Sequence, residues 1–358
     1  MLNTRKDEDH GLSLSGERAT DKKVIDIHTH IMGPGDSGKG CRMSREFILS
    51  PTFASMLSVL KTAPFDVRDD TIKEILLDAI YTSEQIDYAV ILSIDGVYKN
   101  ARYIESESHL VVPNDYVAEI ARTHRRVLFG ASMHPYREAK EVIAETMRYI
   151  DEGAVLFNWL PSSQQIDPED DRCIPFYICL AREGIPLLCH MGGEFASRAT
   201  GFKTYKYSDP KKMARALDIG VKVIAAPCAI SYNESNLYDG KHYFTDVIEM
   251  LKVSEEKKWE FYVDMSSFSH PSKDVYLESI KMESDTGRIN PARLLCGSNF
   301  PMPGFDVRFH GKSPDSNEIC DHMGGQRSLL DFNFNLLNKF GINDSIFTNA
   351  WDVLRKVK

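Results

Sequence analysis

Eight short apolar runs, set along almost the whole chain and separated by amphipathic segments, constrain the fold more than any other feature of this sequence. They cover residues 24–31, 88–94, 127–133, 154–160, 186–191, 221–226, 261–265 and 293–297. Runs that are apolar at nearly every position belong to strands covered on both faces, and so to a parallel sheet. Between them, residues 71–85, 115–123, 137–152, 173–183, 210–217 and 243–252 carry apolar residues at helical spacing, as Ile72, Ile75, Leu76, Ala79 and Ile80 do. Two further helical patterns, 326–340 and 344–355, close the chain. This alternation predicts an α/β fold, the (β/α)8 TIM barrel, and 358 residues suit its size range. A doubly wound open sheet seldom needs eight parallel strands, and no GxGxxG follows the first run.

On this reading residues 22–358 form a single TIM-barrel domain, and residues 1–21 a flexible N-terminal segment with no apolar stretch of the secretory kind. Long connections follow strands 1, 6 and 8, at residues 32–70, 229–258 and 300–325. Loops after barrel strands lie at the face where sites are built, so these are expected to roof a pocket. The glycine-rich run 32–40 lacks the order of a phosphate-binding loop and is expected to be mobile.

A net charge of −9 supplies no basic excess for nucleic-acid phosphates, which leaves small molecules as the expected partners. Seven scattered cysteines, odd in number and without a CxxC pair, read as buried reduced thiols of a cytoplasmic protein. No apolar run approaches the roughly 20 residues of a membrane span.

Chemistry is concentrated at the predicted strand ends. Alternate residues of a strand share a side, so His28-Thr29-His30 aims two imidazoles at one place. Imidazole is the commonest protein ligand for divalent transition metals. Strand 5 ends at His190, strand 7 at Asp264, and Asn299 follows strand 8. Taken alone, His190 reads better as a core histidine bonded to a carbonyl. His134 and Glu194 are further candidates for the site, and Arg198, Arg308 and His310 are candidates for recognising a carboxylate. His134 reads also as shaping the loop after strand 3, Glu194 equally as a solvated loop carboxylate, and for Arg198, Arg308 and His310 ordinary surface charge is the simpler reading.

Five segments carry a resemblance to a known family. They are Asp26-Ile27-His28-Thr29-His30, the block 157–168 after strand 4, residues 187–194 at strand 5, Cys296-Gly297-Ser298-Asn299-Phe300-Pro301, and Phe347-Thr348-Asn349-Ala350. In these the chain resembles the amidohydrolase superfamily, in its branch of metal-dependent amidohydrolase-related hydrolases and decarboxylases. The resemblance implies a divalent metal, usually zinc, on two strand 1 histidines, a strand 5 histidine and a strand 8 aspartate that also accepts a proton. It further implies a strand 6 histidine and, in two-metal members, a bridging strand 4 lysine or glutamate.

Three positions depart from that pattern. Asn158 stands where the lysine is expected, Pro227 where the strand 6 histidine is expected, and Asn299 where the aspartate is expected. Asparagine at 158 cannot form a carboxylated bridge, and asparagine at 299 is a poor proton acceptor near neutral pH. The expectation is therefore a metal-dependent hydrolase of the amidohydrolase type with a reduced, mononuclear site. One Zn2+ (or another divalent metal) per chain would sit on His28, His30 and His190, with His190, Asn299 and Asp264 as catalytic residues. Its substrate would be a small carboxylate, lactone or amide, attacked by metal-activated water. A catalytically silent barrel that binds a small ligand is the second class left open, and so is a homodimer.

Overall fold

The computed structural model describes residues 21–192, 202–228, 243–266, 268, 274–302 and 328–354. Its centre is an eight-stranded parallel sheet whose strands lie in chain order. They are β1 Ile25–His30, β2 Tyr88–Leu92, β3 Val127–Ala131, β4 Ala154–Trp159, β5 Leu187–His190, β6 Val223–Ala226, β7 Phe261–Asp264 and β8 Leu294–Leu295. Each lies inside one of the eight apolar runs. The last strand closes on the first: Ile27 N–H donates to the Cys296 carbonyl at 3.3 Å, Asn299 N–H to His28 at 2.8 Å, and His30 N–H to Phe300 at 2.7 Å. The result is a TIM barrel.

The barrel is filled, as its apolar runs require. Ile27, Val90, Leu128, Leu156, Leu188, Ile224, Tyr262 and Leu295, one from each strand, pack into a single interior cluster. Ala350, Val353 and Leu354 near the end of the chain join it. Alternate residues such as Ile91, Phe129, Phe157 and Val263 turn outward into the larger cluster shared with the helices.

Those helices are α1 Asp69–Thr82, α2 Asn114–Thr123, α3 Ala139–Asp151, α4 Ile174–Glu183, α5 Ala214–Ile219, α6 Tyr243–Ser254, α7 Asp274–Asp285, α8 Asp331–Lys339 and α9 Asn349–Val353. The α7 helix is absent from the sequence reading. Its only buried apolar residues among those described are Leu277 and Ile280, too few to draw a visible stripe. The segments 210–217 and 344–355, read as single helices, each begin with a tight 3-10 turn, Pro210–Met213 and Asp344–Phe347.

The loop after β1 contains the helix Pro51–Leu60, started by the Ser50 side chain accepting from Phe53 N–H, with Pro51 in its first turn. The glycine-rich run is not loose. Asp69, at the start of α1, accepts from the N–H groups of Gly35 at 2.8 Å and Ser37 at 3.2 Å. Asp36 returns the contact by accepting from Asp69 N–H at 2.9 Å. The loop after β2 is also long. Its Leu110–Val111 pairs antiparallel with Arg42–Met43, joining it to the loop after β1.

Residues 229–242 and 303–327, most of the other two long loops, lie outside the described residues, as do Glu194, Arg198, Arg308, His310 and Cys320. The six described cysteines are buried, and none of them forms a disulfide. No helix among the described residues is long and apolar enough to cross a membrane.

Candidate metal centre

The barrel brings the three predicted histidines together. His28 and His30 come from β1, where the register against β2 slips between Asp26 and Thr29, and His190 is the last residue of β5. Ring centroids lie 4.8 Å apart for His28–His30, 4.8 Å for His28–His190 and 5.2 Å for His30–His190. One nitrogen from each ring falls within 4.8 Å of the others. All three residues are buried, His28 completely.

His28 is held from behind. Its Nδ1 lies 2.6 Å from Oδ2 of Asp264, which is itself fully buried. Asp264 in turn accepts from Ser266 Oγ at 2.6 Å and from Ser266 N–H at 2.9 Å. Gly297 makes this packing fit: a Cβ there would stand 2.8 Å from Asp264 Oδ1 and 2.9 Å from His28 Cβ. Below, Asp26 Oδ1 accepts from the N–H groups of His28 at 3.0 Å and Ser298 at 2.9 Å.

These contacts assign the hydrogens. A carboxylate accepts, so His28 Nδ1 carries the proton and its Nε2 presents a lone pair. That Nε2 is 2.8 Å from Nε2 of His30. Burial first, and the neighbouring His28 imidazole second, hold His30 well below the ordinary imidazole range. The same causes act on His190, with His30 adding to them. Both rings are therefore neutral at pH 7, the form that binds metals. Burial pushes Asp26 up to about 7, against the hydrogen bonds that it accepts.

Buried polar atoms without a protein partner collect here. Among the described residues they include His30 Nδ1, His190 Nε2, Asp26 Oδ2 and Asn158 Oδ1. Each such atom costs about 1–3 kcal/mol if nothing meets it. A divalent ion fits this set: three neutral imidazoles from two strands, one with its far nitrogen fixed by a carboxylate, two with an unmet nitrogen.

The three departures take distinct positions. Asn158 is fully buried on β4, and its Nδ2 donates to the Ser93 carbonyl at 2.9 Å. Pro227 follows β6. Asn299 lies at the end of the β8 segment with a left-handed backbone (φ 57°), its N–H bonded to His28. His134 has both ring nitrogens engaged: Nε2–H donates to Gln164 O at 2.9 Å, and Nδ1 accepts from Tyr136 N–H at 3.2 Å. Sequence reasoning did not single out Ser266 or Gly297. The spacing Asp264-Met265-Ser266 repeats the alternate-residue pattern of the histidine pair and was a usable signal. Gly297 carried none, because its role depends on two distant side chains.

No family model and no curated protein matches the chain. Solved structures do resemble it. An uncharacterized TIM-barrel protein from Bordetella bronchiseptica has TM-score 0.50 and 17% identity, over 88% of this chain and 99% of its own. IDCase of Metarhizium anisopliae, in its apo form, has TM-score 0.49 and 13% identity, over 93% and 97%. A 5-carboxyvanillate decarboxylase from Novosphingobium aromaticivorans, complexed with manganese and 4-hydroxy-3-methoxy-5-nitrobenzoic acid, has TM-score 0.46 and 12% identity, over 80% and 88%. At these identities the likeness concerns the fold, and the first of them bears out the TIM barrel.

Proposed function

We propose that the chain is a metal-dependent hydrolase of the amidohydrolase type with a mononuclear site. Its substrate would be a small carboxylate, lactone or amide. The observation that carries this is the convergence of His28, His30 and His190 with Asp264 fixed on the far nitrogen of His28. His28, His30 and His190 would hold the ion, and three imidazoles favour zinc over harder cations. A bound divalent ion supplies Lewis acidity and lowers the pKa of water.

Asp264 would hold the His28 tautomer rather than take a proton from substrate, because His28 and Ser266 already engage its oxygens. Asn299, bonded through its backbone to His28, would offer a neutral amide at the rim. The reading takes residues 22–358 as one domain and places it in the cytoplasm on the strength of buried cysteines that, among the described residues, form no disulfide.

A second reading, a catalytically silent barrel binding a small ligand, draws on one observation. Among the described residues, no carboxylate joins the three histidines as a ligand. Metal analysis and turnover separate the two. Chelator-stripped protein should take up about one zinc per chain, and His28→Ala or His190→Ala should abolish uptake. A parent that binds no zinc ends the metal reading. Zinc binding without turnover across esters, lactones and amides leaves the silent barrel, whereas turnover that a chelator abolishes ends it.

A further inference from the structure

We infer that Asn333, on the helix that follows β8, is a positioning residue for the histidine site. Its side chain is 2% exposed, and its Nδ2 donates to two carbonyls, Gly297 at 2.7 Å and Met265 at 3.1 Å. These carbonyls sit at the two strand ends that define the His28 pair. Met265 directly follows Asp264, and Gly297 is the residue on which Asp264 and His28 both pack. A main-chain bond, Met265 N–H to the Leu295 carbonyl at 2.8 Å, joins the same ends beside the strand pairing. Asn333 is thus a strap across the ends of β7 and β8. Asp264 rides on the first, and the second is bonded to the strand that carries His28.

The amide's orientation strengthens the inference. Both partners only accept, so the nitrogen faces them and the oxygen turns away. Oδ1 is buried without a partner among the described residues. An unpaired buried acceptor weighs against asparagine at this place, and its two donated bonds are what the position gains. Ser266 was recognisable by spacing from Asp264; Asn333 acts from 68 residues beyond Met265.

The molecule contains its own control. Asn349 Nδ2 donates to the carbonyls of Pro291 and Leu294, both at 2.9 Å, at the other end of the same strand. Asn333→Leu and Asn349→Leu therefore remove equivalent pairs of bonds, and only the first pair adjoins the site. The test uses the full chain, histidine-labelled with 15N and stripped of metal. The readout is the downfield Nδ1–H proton of His28, identified by its loss in His28→Gln. Asn349→Leu should keep this signal at its parental position, whereas Asn333→Leu should shift or lose it. Zinc added afterwards should bind Asn333→Leu about 10–100-fold more weakly than parent, and Asn349→Leu within about twofold. If the leucine variant does not fold, Asn333→Ala serves, and Asn333→Gln, which keeps the donors, should restore part of the signal. A folded Asn333→Leu or Asn333→Ala protein with parental proton position and zinc affinity overturns the inference. The affinity arm rests on the metal reading above, but the proton signal does not. A parent that binds no zinc therefore ends the reading while the signal still decides the role of Asn333.

Discussion

Replacing Asp264 by asparagine tests the architecture of the site most directly. The carboxylate accepts three hydrogen bonds: His28 Nδ1–H on Oδ2 at 2.6 Å, Ser266 Oγ–H on the same oxygen at 2.6 Å, and Ser266 N–H on Oδ1 at 2.9 Å. An amide of the same shape can satisfy only one side. With its oxygen toward His28, its NH2 faces the Ser266 N–H, donor against donor. With its NH2 toward His28, that ring must move its proton to Nε2, and the lone pair aimed at the other histidines disappears. A hydrogen bond to a charged group contributes about 1.5–3 kcal/mol against about 0.5–1.5 for a neutral one, and one bond is lost outright. The stability cost should therefore be about 2–4 kcal/mol, read by urea unfolding. Zinc affinity should fall about 10–100-fold, as for other carboxylates that orient a ligating histidine. Competition against a chromophoric chelator measures it. A folded Asp264→Asn protein with zinc affinity within about twofold of the parent would refute the orienting role.

Three further outcomes follow from contacts already described. Gly297→Ala places a methyl 2.8 Å from Asp264 Oδ1 and 2.9 Å from His28 Cβ, which should cost about 1–3 kcal/mol and weaken zinc uptake; parental values for both would contradict this packing. Arg126 donates to the carbonyls of Tyr81, Ser83, Ile86 and Asp87, so Arg126→Lys should cost about 1–3 kcal/mol on unfolding and leave zinc affinity unchanged; lost zinc binding in a folded variant would count against that separation. Burial holds His134 down to about 4 and keeps His30 and His190 low, so the unfolded chain binds more protons, and their contribution, full above 6.5, fades as pH falls towards 4. Asp26, pushed up to about 7 from 3.8, works the other way, its contribution lost as pH rises through that interval. Metal-free protein should gain stability between about pH 5 and pH 7, and Asp26→Asn should gain more over the same range; a smaller gain in the variant, by urea midpoints, contradicts the assignment.

The barrel was legible because a strand buried on both faces must be apolar throughout, and runs such as 88–94 and 127–133 have no other reading in this arrangement. The histidine trio was legible for a related reason. Alternate-residue spacing on β1 and a strand-terminal position on β5 are local facts that fold closure turns into proximity. The α7 helix was not, because two buried anchors do not make a stripe. The tethering of the glycine-rich loop was missed since it depends on Asp69, which reads in sequence as an ordinary first-turn acid. Asp264 was picked out as a catalytic residue at a strand end, but its partner His28, 236 residues away, was not legible. Long-range pairing decides what a buried polar side chain does, and spacing along the chain carries no record of it.

That separation also bears on how the protein reaches its working form. All three imidazoles are made within the first 190 residues, yet the groups that orient His28 arrive between residues 264 and 333. Strands β1 and β8 must meet before His28 acquires its carboxylate, and bringing such distant segments together is entropically slow. An ion present during synthesis would therefore find only loosely arranged histidines until the ring of strands has closed. On the proposed metal reading, tight uptake would be a late event in folding, a report that assembly is complete rather than a seed around which it begins.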